Sequence, residues 1–395
     1  MRESLGVVFK TIERCNINCS YCYMFNMDDK TFKQRDAVIK QKTVKQTALF
    51  LKQGCIDLGL KELSLGFHGG EPMMQKKRDF EATCNIFKSE LDALVNLRFT
   101  MQTNAMLIDD EWIDLFNKYQ VCLGISIDGP KEYHDKDRVD HRGKGTYDRV
   151  ASKIKHLQTS NYYKIKTSGL GLLCVINPAH CPRKIYRHFV DDLGVNHMDF
   201  LLPYNNHMHQ LEYSPEAYGE YLCNLFDEWT TDDNPKVQVR SLSSLLGLFY
   251  NGRPEVYGVG RISEEQLPLI TISSMGDLSP TDEFRSTDSS INYSGETIYN
   301  TSLAKYLGNS IFHEIQHATV SLPQECTTCC WKNICSGGAI VNRYHKNNKF
   351  DNPSIYCSGL KNLYAEVCHY ILKKNYDYAK LINVLGIDEG SGIAA

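Results

Sequence analysis

No stretch of this 395-residue chain approaches the roughly 18 uninterrupted apolar residues that a membrane-spanning helix needs. The N-terminus, MRESLGVVFKTIERC, lacks the basic-then-apolar layout of a secretory signal and enters a strand-like pattern at once. Charge of one sign is not in excess either. A net charge of −3 offers no electrostatic case for nucleic acid or an anionic membrane as the main partner. There is no internal repeat and no low-complexity tract. These absences lead to the expectation of a globular, cytoplasmic protein with neither nucleic-acid nor membrane partners.

What the chain has in abundance is cysteine. Fifteen cysteines without a signal segment argue against a disulfide scaffold, which is smaller and secreted, and for thiolates on metal. Seven fall into two groups; the remainder read as small buried hydrophobes. In the first group Cys15, Cys19 and Cys22 are spaced C-x3-C-x2-C within ERCNINCSYCY. That loop is wide enough to wrap a cubane cluster, with three thiolates on three irons and the fourth iron free of protein. A structural zinc usually takes four nitrogen or sulfur ligands, so three cysteines alone fit it poorly. In the second group Cys326, Cys329, Cys335 and Cys357 supply four thiolates, enough for a complete [4Fe–4S] cluster or for a zinc ion. Cys330 breaks the spacing and reads as a bystander. No cysteine lies between Cys223 and Cys326.

Short apolar runs alternate with amphipathic segments from residue 5 to about 230. Strands are expected at Gly6–Thr11, Leu63–His68, Leu97–Thr103, Val121–Ile127, Ser168–Ile176 and His197–Leu202, and a helix at Asp109–Tyr119. Strand–helix alternation predicts parallel βα units, in an open doubly wound sheet or a barrel. The polar stretch TTDDNP ends this region. Three domains are expected: 1–235, a bridge of less regular pattern over 236–320 that includes NGRPEVYGVGR, and 321–395. The last holds the second cysteine group, a helix near Leu360–Lys374 and a frayed tail from Gly386.

Ligands of parallel α/β folds bind at the carboxyl ends of the strands. Three motifs fall there: His68-Gly69-Gly70-Glu71-Pro72, Gln102-Thr103-Asn104, and Ser126-Ile127-Asp128-Gly129-Pro130 followed by His134, Asp135 and Arg138. The glycines permit close backbone approach, Glu71 can hold a helix entry or accept from an amine, and Arg138 can pair with a carboxylate. Asn104 and Asp128 also suit turns and caps.

Together with the C-x3-C-x2-C loop, these runs resemble the radical S-adenosylmethionine (SAM) superfamily, and the second cysteine group resembles its SPASM extension. The resemblance implies an α/β fold, a partial (β/α)6 barrel with a C-terminal auxiliary-cluster domain. It implies two [4Fe–4S] clusters, one at Cys15, Cys19 and Cys22 binding SAM and one auxiliary at Cys326, Cys329, Cys335 and Cys357. Tyr21, Gly69, Gly70, Glu71, Gln102, Asn104, Ser126, Asp128 and Arg138 are the implied SAM-site residues. Ala105 stands where the family usually has glycine, and Ala339 and Thr281 stand where a full extension has cysteine. Those departures leave only the distal auxiliary cluster. Asp282, after Thr281, matches the aspartate that acts as base in sulfatase-maturing relatives, although a turn-forming role after Pro280 is equally open.

The run C-x2-C-(C)-W-x2-I-C-S-G-G…N-x2-F-D-x-P-S-x-Y-C most resembles cyclophane-forming maturases of the Xye/Grr/Fxs type. The resemblance implies a radical SAM enzyme that joins an aromatic ring to the β-carbon of a nearby residue in a ribosomally made precursor peptide with a leader. Its electron donor would be a flavodoxin or ferredoxin. With no segment before the first strand, leader recognition is expected at the barrel rim, in the bridge or on a separate protein. The alternative is an anaerobic sulfatase-maturing enzyme that makes formylglycine from serine or cysteine.

Overall fold

A computed structural model describes residues 3–162, 164, 170–251 and 269–387. Most of NGRPEVYGVGR, the start of the expected strand at Ser168 and the tail beyond residue 387 lie outside them. The chain divides into two compact units. One consists of Met1–Leu173, Leu193–Val195 and Leu267–His313, the other of Cys174–Asp192, Asn196–Gln266 and Glu314–Ala395.

The first unit is built on a sheet whose strands are β1 (Ser4–Ile12), β2 (Glu62–Gly69), β3 (Asn96–Thr103), β4 (Cys122–Ser126), the start of β5 (Gly171–Val175), β8 (Leu269–Ile272) and β9 (Leu278–Ser279). They lie in the order β5-β4-β3-β2-β1-β8-β9 and are parallel except for β9. Between them run α1 (Gln41–Leu58), α2 (Lys77–Leu91), α3 (Asp110–Tyr119), α4 (Lys131–Asp137) and α5 (Tyr147–Thr159). The expected helix at Asp109–Tyr119 is α3, with Asp109 as its N-cap: Oδ1 accepts from Trp112 N at 3.0 Å.

Side-chain alternation gives this sheet two unlike faces. Leu5, Val7, Phe9, Leu63, Leu65, Phe67, Phe99 and Met101 are buried on the helix side. There the Phe9 ring meets Phe87 of α2 at 5.3 Å and the Phe67 ring meets Phe80 at 4.8 Å. Each such side chain contributes about 1.5–3 kcal/mol through burial. Apart from Val8, the intervening residues are small or polar, among them Lys10, Gly66, His68, Thr100, Gln102, Gly124 and Ser126. A Cβ on Gly124 would come within 2.3 Å of Gln102 Oε1, so glycine there lets the glutamine lie flat across β4. The polar face is the one available for chemistry.

The segment read as an irregular bridge supplies β8 and β9. Gly6 to Phe9 of β1 pair in parallel register with Leu269 to Ile272. Strands of four and two residues are too short to show a period, which is why the pattern looked irregular.

In the second unit β6 (His197–Leu201) pairs with β7 (Gln238–Val239). Asp199 clamps Arg240, accepting from Nε at 2.8 Å, and caps the following helix through Ser241 N at 3.1 Å. The helix Pro215–Asp232 packs on Cys357–Lys373, the helix expected near Leu360–Lys374. They cross where Gly219 faces Gly359: a Cβ on Gly359 would lie 2.0 Å from the Pro215 carbonyl oxygen. Leu222, Leu225, Phe226, Leu360, Leu363 and Val367 fill the interface around that crossing. Among the described residues no helix is long and apolar enough to cross a membrane.

The glycine contact carries a direct consequence. Gly359→Ala must push the two helices apart, with an expected loss of about 1–3 kcal/mol in denaturant-unfolding stability. Gly247→Ala, in open space on another helix of the same unit, is the control that leaves it unchanged.

Candidate functional site

The carboxyl ends of β2 and β3 meet at one buried carboxylate. Glu71 Oε1 accepts from Thr103 Oγ1 at 2.7 Å and from Met73 N at 3.1 Å, while Oε2 accepts from Asn104 N at 2.8 Å. It caps the turn Pro72–Met74 and ties β2 to β3. Burial pushes its pKa up, against these hydrogen bonds. Both oxygens are therefore engaged by the chain itself. Gly69 and Gly70 are equally committed: a Cβ on Gly69 would sit 1.8 Å from the Ile12 oxygen and one on Gly70 1.9 Å from the Arg14 oxygen. Their absence of side chains lets Gly70 N reach Ile12 O at 2.8 Å and Glu71 N reach Arg14 O at 2.9 Å. The motif that read as a ligand cradle first of all pins the start of the cysteine loop.

The rest of that loop is anchored by the chain after α4. Asn18 N donates to Val139 O at 2.7 Å, Ser20 N to Asp137 O at 3.0 Å, and His141 Nε2 lies 2.8 Å from Cys15 O. Asn26 Nδ2 donates to Cys19 O at 2.6 Å. Asn104 Nδ2 donates to Asn16 Oδ1 at 2.7 Å and lies 3.8 Å from Cys15 Sγ, while its Oδ1 accepts from Met106 N. Between them Ala105 takes φ 61°, the left-handed conformation that explains why glycine is usual here. Burial pushes the Cys15 thiol up to about 12 and that of Cys19 to about 11. Among the described residues no three histidine, cysteine or acidic side chains converge on a single-ion site. A cubane needs no such convergence, because each thiolate binds a different iron, and the three loop cysteines fit that donor set.

Arg138, Tyr21 and Asp128 form a second buried chain beside the loop. The Tyr21 hydroxyl donates to Asp128 Oδ2 and accepts from Arg138 Nη1 at 2.8 Å. Arg138 Nε is buried without a partner, so donor capacity remains on the guanidinium. His134 holds the turn, its Nδ1 accepting from Asp128 N at 3.2 Å and its Nε2 lying 3.0 Å from Thr146 Oγ1. Gln102 Nε2 donates to Ser126 Oγ at 2.8 Å on the polar face. The SAM-site residues implied by resemblance thus gather at one end of one sheet, though several already have partners within the chain.

Asp282 belongs to a group that the sequence did not assemble. Its Oδ2 accepts from Lys10 Nζ at 2.8 Å and from Tyr23 OH at 2.9 Å, and lies 3.4 Å from His68 Nδ1. Asp282 opens the turn Asp282–Ser286, and its carboxylate is spent on long-range contacts rather than on a cap of that turn. Burial alone would raise its pKa, but the Lys10 ammonium, the His68 ring and the hydrogen bonds from Lys10 and Tyr23 together outweigh burial and hold the carboxyl far below the usual range. Arg285 closes the group from the other side, donating to Met24 Sδ at 3.1 Å and pairing with Asp29 at 3.2 Å. Lys10 was legible as the one charge in GVVFKTI, but its partner 272 residues away was not.

In the second unit Cys326, Cys329, Cys335 and Cys357 line one cavity with Trp331 and Tyr364. Burial pushes the thiols of Cys326 and Cys335 up to about 11. Trp331 N points at Cys329 Sγ from 3.4 Å, the kind of donor that tunes a bound cluster. Four cysteines around one enclosed space fit a [4Fe–4S] cluster. Cys330 is exposed and outside the lining.

Residues 9–180 match the profile of the Radical SAM superfamily. Over 380 residues the chain is 25% identical to the cysteine-type anaerobic sulfatase-maturating enzyme of Clostridium novyi (strain NT), spanning 92% of this chain and 95% of that one. It is 23% identical to the serine-type enzyme of Bacteroides thetaiotaomicron, over 90% and 87%. The solved structure of native anSMEcpe with bound AdoMet and Cp18Cys peptide matches with a TM-score of 0.79 at 21% identity, over 94% of this chain and 98% of that one. The fold is the α/β radical SAM fold, a partial barrel of parallel strands with a C-terminal auxiliary domain. The expectation of cyclophane formation is corrected by these relatives, which match along nearly the whole chain and are sulfatase-maturating enzymes. Cysteine spacing in the C-terminal run reports how a cluster is held and carries no information about the bond made in a substrate.

The Asp282 pair makes a pH-dependent prediction. Its depressed pKa stabilises the fold fully above the unfolded value of about 3.9, and that contribution is lost as pH falls toward the folded value. Asp282→Asn strands a buried lysine and should cost about 3–5 kcal/mol at pH 7 by denaturant unfolding. The gap to wild type should narrow steadily below about pH 4.

Proposed function

We propose that this chain, whose residues 9–180 carry the radical SAM core, oxidises a cysteine or serine side chain of a peptide or protein to formylglycine. The observation that carries this reading is the end-to-end similarity to both cysteine-type and serine-type anaerobic sulfatase-maturating enzymes. Cys15, Cys19 and Cys22 would hold the SAM-binding [4Fe–4S] cluster, and Cys326, Cys329, Cys335 and Cys357 the auxiliary one. When bound and reduced, the first cluster with SAM supplies a carbon radical able to take a hydrogen atom from an unactivated carbon.

The chain's own residues have distinct tasks in this reading. Glu71, Gly69 and Gly70 fix the cysteine loop against the ends of β2 and β3. Arg138, steadied by Tyr21, offers charge for a carboxylate such as that of SAM. Asn104 braces the loop beside Cys15. Gly66 and Gly124 make way for Thr100 and Gln102, which with Ser126 form the polar surface that a substrate side chain would meet. Missing cysteines in the bridge, with Thr281 in place of one, are consistent with a single auxiliary cluster. A flavodoxin or ferredoxin is the natural class of electron donor.

The test is anaerobic incubation of the reconstituted full chain with SAM, a reductant and two sulfatase-derived peptides that differ only in a cysteine or serine target. Tandem mass spectrometry should find an aldehyde at the target, trapped by hydrazine. SAM turnover with both peptides unchanged would remove this reading. A hydrogen-loss product carrying no aldehyde would move the chain to another peptide oxidation.

A further inference from the structure

We infer that His68 is the group that takes the proton from the substrate's thiol or hydroxyl, with Asp282 as its orienting counter-ion and Lys10 holding Asp282 in place. This role rests on the oxidation reading above.

The placement comes from strand register. Lys10 of β1 and His68 of β2 are direct partners in the parallel ladder, so both project from the polar face at the same level. Lys10 contacts Met24, and Tyr23 shares Asp282 with it; both residues follow Cys22. Asp282 reaches them from the turn after β9 and binds Lys10 and Tyr23 through Oδ2, the same oxygen that faces His68 Nδ1 at 3.4 Å. Lys10 Nζ also lies 2.8 Å from Met24 Sδ, so it is locked on two sides.

Exposure separates the roles. Lys10 has a fully buried side chain, that of Asp282 is 11% exposed and that of His68 26%. The imidazole is the member of the group presented to an incoming side chain. A carboxylate already paired with an ammonium and a phenol has little basicity left, whereas it compensates an imidazolium well. His68 Nδ1 is buried with no hydrogen-bond partner at rest, an expensive state unless another stage of the reaction uses it.

The step balances simply. The substrate S–H or O–H bond breaks, an Nε2–H bond forms, and the electron pair stays on sulfur or oxygen. The charged ring then directs Nδ1–H at Asp282. The charges that act on the ring are those of Asp282, Lys10, Arg285 and Glu13, of which Asp282 lies at 3.4 Å. Burial, helped by Lys10 and Arg285, lowers the ring's pKa and so favours the neutral form that accepts a proton, while Asp282 and Glu13 oppose that shift.

Two measurements test this. In the cluster-loaded full chain with the cysteine peptide, the single-turnover rate should rise with pH through one ionisation and level off. His68→Gln should lower it about 100-fold and abolish that rise while SAM cleavage persists, and added imidazole should restore part of the rate. In the unloaded protein, deuterium exchange at the imidazole C2 position reads the ring's own pKa, which should fall in Asp282→Asn and rise in Lys10→Met. Activity within about threefold of wild type in His68→Gln, with the pH dependence intact, overturns the role. So does a ring pKa indifferent to Asp282→Asn, a reading that stands even if His68→Gln fails to fold. Wild-type protein that cleaves SAM but leaves the peptide unchanged at every pH defeats the oxidation reading and this role together, an outcome distinct from an active His68→Gln.

Discussion

A single buried carboxylate organises the reacting end of the first unit. Glu71 accepts three hydrogen bonds, from a side-chain hydroxyl and two backbone amides, in a site where an unpaired charge would be costly. Those bonds fix the ends of β2 and β3 relative to each other. The two glycines before it fit against the backbone of Ile12 and Arg14 with no room for a methyl group. The start of the cysteine loop is therefore positioned by backbone contact, which is stiffer than side-chain packing. Asn104 extends the same control to Asn16 and the neighbourhood of Cys15.

The Lys10–Asp282 pair sets the electrostatics next to that loop. Burying two charges costs several kcal/mol per ion, and their attraction together with the surrounding hydrogen bonds roughly offsets it. An apolar pair could fill the same volume without that cost. What the ionic version provides is a fixed negative charge beside His68: the Asp282 carboxyl is held well below the usual range, while burial lowers the pKa of Lys10 itself. That is a reason for a buried ion pair at a reacting end where a purely structural pair would be hard to justify.

The strands and the cysteine groups were legible because each rests on local information. Short β-branched runs give parallel strands, with ends displaced by at most three residues, and thiolate spacing gives cluster loops. Ala105 could be flagged as a departure, but only φ 61° shows that the position demands a left-handed residue. The Asp282 group was not legible, because it depends on β1–β2 register and on a turn 272 residues from Lys10. Nor was the second task of the glycine pair. The motif suggested room for a ligand, while the room is first used by the chain. The target reaction was misread because cysteine spacing constrains the cluster and leaves the substrate free.

The most direct test follows the hydrogen atom. A peptide carrying deuterium at the β-carbon of its target cysteine or serine should, on anaerobic turnover, deliver deuterium into 5′-deoxyadenosine. Appearance of the label there, in step with aldehyde formation, is the result this account predicts. Unlabelled 5′-deoxyadenosine alongside oxidised peptide, or label arriving only from another residue, would contradict it.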